Sequence, residues 1–280
     1  SEGNLYSGRA INVSDGGTFT MYGGTITDNR ITNNRGAGVN VDTRKDTFKM
    51  YGGKITGNLA EAGRFTFGAG VHVEGKFFMT GGEITDNTVV MDTTIESSSP
   101  YGQGGGVCVN IATCRISGDA KIYDNRQQIQ NGSTVVNTVA NNVYLVYYST
   151  PWGGPTLQNI TVDAPLSDDA KIGVTVGKDL AEGEYFAIAT GTDDYKLTAD
   201  DLKIFSSDAG YMMEQMNNTF IFGKGELHVH AVCGAALCTD GHEDKVWKAV
   251  GTAADLLAIP SAKETQYYYL TDDIELNESW

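Results

Sequence analysis

The sequence predicts an all-β fold in which short parallel strands stack as a solenoid, and three observations predict it. Glycine supplies 35 of the 280 residues and proline only 5, a balance that suits many tight turns between strands and neither collagen nor a stiff linker. A motif recurs four times: F-T-M-Y-G-G-T-I-T-D-N ending at Asn29, F-K-M-Y-G-G-K-I-T-G-N ending at Asn58, F-F-M-T-G-G-E-I-T-D-N ending at Asn87, and C-R-I-S-G-D-A-K-I-Y-D-N ending at Asn125. No amphipathic helical period is visible before residue 250, so an α/β alternative lacks its helices.

Each element follows from the repeat. The terminal asparagines are spaced by 29, 29 and 38 residues, and the long step holds a polar, Pro-bearing stretch over 90–103 that reads as a surface loop. An apolar-x-apolar triplet leads every copy: Ile11-Asn12-Val13, Val39-Asn40-Val41, Val71-His72-Val73 and Val107-Cys108-Val109. One such unit cannot bury its own apolar face, but units laid over one another share a continuous interior. Alternation of period two then sends Val39, Val41, Phe48, Met50 and Ile55 inward and leaves Asn40, Asp42, Lys49 and Lys54 outside. Equivalent side chains stack at about 4.8 Å from copy to copy. Asn29, Asn58, Asn87 and Asn125 are expected to form an amide ladder at a turn, and the Gly-Gly pairs at 23–24, 52–53 and 81–82 to permit a bend. Cys114 falls at the inward position of Phe48 and Phe77 and reads as a core thiol, whereas Cys108 faces the other way, so a bridge between them is not expected.

Beyond Asn125 the period blurs into strand-like runs at Val143, Ile160, Ile172, Phe186, Lys203 and Thr219, read as irregular coils and a β cap that closes an otherwise unpaired edge. Residues 252–259 form the one good helix candidate, opened by Thr252 and stopped at Pro260. Tyr267 onward resumes alternation. The organisation expected is therefore repeats over 1–145, irregular coils and cap over 146–226, a His/Cys linker over 227–246, and the start of a further module over 247–280 within a longer multidomain chain.

The F-x-M-x-G-G-x-I-x-x-N and G-x-G-V-x-V units resemble the right-handed parallel β-helix repeats of large secreted or wall-attached, adhesin-like proteins from Gram-positive gut bacteria. The likeness continues through Asn142-Val-Tyr-Leu, the Ile172-Gly-Val strand, the segment H-V-H-A-V-C-G-A-A-L-C-T-D-G-H, Trp247 and Tyr268-Tyr-Leu-Thr-Asp-Asp-Ile. It implies a secreted, cell-surface place and a non-catalytic module that binds an extracellular glycan or protein. Polysaccharide lyases and glycoside hydrolases also use such folds, and fold alone does not choose among them. A carbohydrate-active enzyme and a purely structural stalk spacer are the other two readings.

The candidate chemical sites are few. His230, Cys233, Cys238 and His242 offer two imidazoles and two thiolates at a spacing that suits a closed, structural zinc site, with His228 able to replace His230. A Cys233–Cys238 disulfide is the rival for an exported chain. Stacking the repeat puts Asn40, His72 and Cys108 in one outward column with Asp42, Glu74 and Asn110 beside it. The Cys-His-Asn column suggests a thiol nucleophile with its base, and the Asp42/Glu74 pair suggests a retaining glycosidase; solvated ladder residues are the plainer expectation. Tyr147, Tyr148 and Trp152 belong to the densest aromatic group and are candidates for stacking on a sugar or for burial in the cap. The pairs Asp168-Asp169, Asp193-Asp194 and Asp200-Asp201 lack calcium-ligand spacing and read as solvated loop charge.

Charge narrows the partners. Twenty Lys and Arg against 35 Asp and Glu leave a net charge of −15, which repels phosphate backbones and anionic lipid heads. Nucleic acid is not expected as a partner. No apolar run approaches the roughly 20 residues of a membrane-spanning helix, so membrane insertion is not expected either.

Overall fold

A computed structural model describes residues 9–61, 63, 66–95, 102–150, 153–224, 247–259, 267–270 and 274–275. The chain is all-β, its strands largely parallel, and it divides into two units, 1–224 and 225–280. The first repeat contributes β1 (Ile11–Val13), β2 (Thr18–Met21), β3 (Thr25–Thr27) and β4 (Arg30–Thr32). The second contributes β5 (Val39–Val41), β6 (Thr47–Met50), β7 (Lys54–Thr56) and β8 (Leu59–Glu61). In the third, β9 (Val71–Val73) precedes β10 (Lys76–Thr85), which runs through the Gly-Gly bend, and β11 (Thr88–Asp92). The fourth holds β12 (Val107–Val109), β13 (Thr113–Tyr123) and β14 (Arg126–Asn131).

Successive copies pair in parallel, residue for residue. Val39 lies against Ile11 on one side and Val71 on the other, and Phe48 lies between Phe19 and Phe77. This arrangement is compatible with a β-solenoid. Val39, Val41, Phe48, Met50 and Ile55 are all fully buried, as the alternation predicts. Along the first three copies the inward phenylalanines repeat, so identical shapes stack: the Phe48 ring lies 5.3 Å from both Phe19 and Phe77. Cys114 takes the next place in that column and is buried, and both Cys114 and Cys108 are free thiols.

The bends are explained by the glycine pairs. The second member of each pair adopts positive φ, at 85°, 90° and 93° for Gly24, Gly53 and Gly82. In the second and third pairs the first member is needed for a different reason. A Cβ on Gly52 would sit 2.7 Å from the carbonyl oxygen of Tyr22, and one on Gly81 would sit 2.8 Å from that of Tyr51, closer than real contacts allow.

The asparagine ladder forms as expected and extends further. Asn29 Nδ2 donates to Asn58 Oδ1 at 2.8 Å, Asn58 to Asn87 at 2.8 Å, Asn87 to Asn125 at 2.9 Å, and Asn125 to Asn142 at 3.1 Å. Asn142 Nδ2 in turn donates to Asp208 Oδ1 at 2.6 Å. Burial raises the Asp208 pKa even though Asn142 and Thr175 donate to its carboxylate. The residue before each repeat asparagine, Asp28, Gly57, Asp86 or Asp124, is left-handed, which turns the chain at the ladder.

Two elements differ from expectation. A further strand follows each of the four repeat asparagines: β4, β8, β11 and β14 form a second parallel sheet over a small core of Ile31, Ala37, Ala60, Ala69 and Val89. These runs are short and mix polar with apolar residues, so their alternation is weak in sequence. β15 (Thr134–Ala140) adds to β14 antiparallel as a wholly exposed edge, and the register breaks opposite Ile129 and Gln130. Such a bulge discourages further strand pairing.

The stack continues through β16 (Val143–Leu145), which pairs with β12, and past β17 (Tyr147–Thr150) and its antiparallel partner β18 (Gly153–Leu157). β19 (Ile160–Leu166) and β20 (Lys171–Val176) lie parallel on β13, and β21 (Tyr185–Thr190) lies parallel on β19. A helix not anticipated before residue 250, α1 (Ala199–Ile204), follows. Its Thr198/Asp201 capping box is visible in sequence, but Asp200 and Asp201 read as loop charge; Asp201 instead caps the helix and Asp200 pairs with Lys203 at 2.7 Å. β22 (Phe205–Ser207) pairs parallel with β20, and β23 (Met212–Met216) and β24 (Thr219–Gly223) form an antiparallel pair, with β24 also antiparallel to β21.

In the second unit β25 (Trp247–Val250) and β26 (Tyr267–Leu270) pair in parallel. Between them α2 (Ala253–Leu257) starts at the expected Thr252 cap, whose hydroxyl accepts from Asp255 N. Among the described residues no helix is long and apolar enough to cross a membrane.

Candidate functional site

The column suggested by the triplets exists, but it is not on the surface. Asn12, Asn40, His72, Cys108 and Tyr144 stand in register across β1, β5, β9, β12 and β16. Asn40 and Cys108 are 0% exposed and His72 is 1% exposed. This corrects the expectation that the three are solvated.

The cover is a stack of its own. The segments around Gly36, Gly68 and Gly104 hydrogen-bond to one another in parallel, Gly36 N to Phe67 O at 2.9 Å and Gly68 N to Gln103 O at 2.9 Å. All three glycines have positive φ, and a Cβ on them would fall within 2.8 Å of Asn40 Cβ, His72 Cα and Cys108 Cβ respectively. The G-x-G before the triplets at Val39, Val71 and Val107 was the sequence signal for this lid of backbone. Phe67 lies beside the His72 ring at 6.3 Å, with the Arg35 guanidinium over its outer face at 5.8 Å.

Inside the column the polar groups are ordered as a chain. Asn40 Nδ2 donates to Asn12 Oδ1 at 2.8 Å and to Asp42 Oδ1 at 3.3 Å, so its Oδ1 faces His72 Nδ1 at 3.0 Å. Nδ1 therefore carries the hydrogen. His72 Nε2 is buried with no hydrogen-bond partner, 3.9 Å from Glu74 Oε1. Burial, with Arg35 and Arg9 adding to it, lowers the His72 pKa to about 3, and burial pushes the Cys108 thiol far up. A neutral thiol and a neutral imidazole sealed from solvent do not make an activated nucleophile. Asp42 is exposed, while Glu74 is engaged by Arg35 and by Asn110 Nδ2 at 3.0 Å. A glycosidase needs one carboxyl free to protonate a leaving group, and Glu74 is committed elsewhere.

Tyr147 is half-buried against Phe186 at 5.6 Å, with Lys178 over its ring at 5.6 Å. Trp152 and the side chain of Tyr148 lie outside the described residues. So do His228, His230, Cys233, Cys238 and His242.

The exposed aromatic pair is elsewhere, at a repeat position that sequence reasoning passed over. Tyr22 and Tyr51, between the methionine and the Gly-Gly pair, stack at 5.1 Å with planes 12° apart while remaining 78% and 46% exposed. The signal was present in sequence: two polar-tipped aromatics at an outward position. The third copy has Thr80 there, so the aromatic wall ends and a groove of about 410 Å³ opens over Gly52–Gly53 and Gly81–Gly82. Lys54 Nζ meets Glu83 Oε2 at 2.8 Å, and Lys121 Nζ meets Asp119 Oδ1 at 3.2 Å along its side. A second groove of about 510 Å³ on the β4–β14 sheet is lined by Arg30, Thr32, Glu61, Asp92 and Gln130 among others and has no aromatic side chain. Comparison with known protein families, with curated proteins and with solved structures finds no match.

Proposed function

We propose that this chain is a right-handed parallel β-helix module of the adhesin-like, secreted cell-surface type found in Gram-positive gut bacteria, and that it binds an extracellular glycan or protein without catalysis. The observation that carries this reading is the exposed Tyr22–Tyr51 stack at the wall of an open polar groove. Ring faces left in water, in a repeat that buries Phe48 and Phe77, favour an occupant. The burial of His72 and Cys108 and the engagement of Glu74 take support from the enzyme reading. The full chain is expected to give saturable binding on an array of extracellular glycans, and a blank array would return the assignment to a stalk spacer.

The His230–Cys233–Cys238–His242 set, with His228 as the alternate, is proposed to hold one structural zinc ion that pins the short segment carrying it. Elemental analysis of the purified chain is expected to give one zinc per chain, lost on replacing Cys233 and Cys238 together by serine. A metal-free chain with a Cys233–Cys238 disulfide in its peptide map would overturn the zinc assignment.

A further inference from the structure

We infer that the groove beside Tyr51 is a site for a neutral pyranose of a glycan; this rests on the binding reading above and deepens it. Three features lead there. One face of the Tyr51 ring is occupied by Tyr22 at 5.1 Å, while the ring also walls the groove where Thr80 takes over its column. A pyranose presents an apolar C–H face that suits such a ring, and hydroxyls around its rim that need donors and acceptors. The floor is glycine backbone at Gly52, Gly53, Gly81 and Gly82, so a flat ligand approaches closely without meeting side chains.

Charge selects among sugars. Glu83 stands in register between Lys54 and Lys121, and Asp119 adjoins Lys121. The two cations and two anions cancel in the groove. Each lysine already has a carboxylate, and hydrogen bonding to Glu83 and to Asp119 raises the pKa of Lys54 and Lys121 respectively. The groove thus offers no unspent positive charge to a uronate or sialic acid, and the net charge of −15 repels them. A neutral sugar meets no such penalty and finds carboxylate acceptors and ammonium donors for its hydroxyls in the groove lining. The volume of about 410 Å³ falls within the range of small-ligand sites.

The test uses the full chain with two panels of equal length, neutral hexose oligosaccharides and uronate oligosaccharides, read by calorimetry. The expected result is saturable binding of a neutral member with uronates at least about tenfold weaker. Tyr51→Ala is expected to lose about tenfold or more while Tyr51→Phe retains binding, since the ring face is the contact. Glu83→Gln takes the carboxylate from Lys54, leaving Lys121 with Asp119, and is expected to shift preference toward the uronates. Tyr51 and Glu83 lie outside the core, so an unchanged circular dichroism spectrum and melting midpoint establish that each variant folds. Equal or tighter uronate binding by the native chain, or glycan binding that Tyr51→Ala leaves intact, would overturn the neutral-sugar groove while the binding module stands. No binding to either panel, with no signal on the broader array, removes both.

Discussion

Replacing Asn87 by alanine is expected to destabilise the chain by about 3–5 kcal/mol, among the largest effects of any single side chain here. Asn87 is fully buried in the middle of the ladder. Its Oδ1 accepts from Asn58 Nδ2 at 2.8 Å and from Asn58 N at 3.1 Å, and its Nδ2 reaches Asn125 Oδ1, Ile55 O and Thr85 O, each at 2.9 Å. Alanine removes all of these and leaves the partners buried without replacement. Desolvated groups left unpaired cost the full penalty, whereas the hydrogen bonds themselves contribute only about 1 kcal/mol each. Asn29 is the control, because it is half-exposed at the ladder's first rung and water can replace what alanine removes. Denaturant titration of both variants checks this. A loss at Asn87 no greater than at Asn29 would show that the ladder is geometry without energy.

Acid is expected to unfold the chain partly through His72. The free imidazole value is near 6.5 and the folded value about 3, so between those limits the unfolded chain binds a proton that the folded chain refuses. The stability linked to this group is complete above pH 6.5 and is lost as pH falls toward 3, at about 1.4 kcal/mol for each pH unit within that window. The cause is structural: Asn40 fixes the neutral tautomer, Nε2 has no partner, and Arg35 and Arg9 oppose a further positive charge. Glu74, 3.9 Å from Nε2, favours the proton but does not offset burial. His72→Asn places in the column the amide it already uses at Asn12 and Asn40, and it cannot titrate. Midpoints measured at pH 7 and pH 4 should fall further for the native chain than for His72→Asn. Parallel losses would mean that His72 takes up its proton without unfolding the strand stack.

Much of this was legible in the residues, and the rest was not, for identifiable reasons. Period-two alternation says which side of a strand a residue takes, so Phe48, Met50 and Ile55 were placed correctly inside, and an asparagine closing every copy of the motif made the ladder foreseeable. Alternation is silent on what lies against the other side. Asn40, His72 and Cys108 do point away from the main core, yet a second stack of backbone covers them, because Gly36, Gly68 and Gly104 let that stack approach where any Cβ would collide. The ladder's continuation to Asn142 and Asp208 was hidden as well, since Asp208 lies 66 residues beyond Asn142 in the chain. The sugar-sized groove was hidden for a similar reason: Tyr22 and Tyr51 were in view, but the void beside them depends on Thr80 standing one rung away. The repeat, its inward residues and its turns could be read from the residues alone, because those are set by local period and by backbone freedom at glycine and asparagine. Which outward residues see water emerged only with the packed fold, since exposure belongs to the segments that stacking brings alongside and not to the strand that carries the residue.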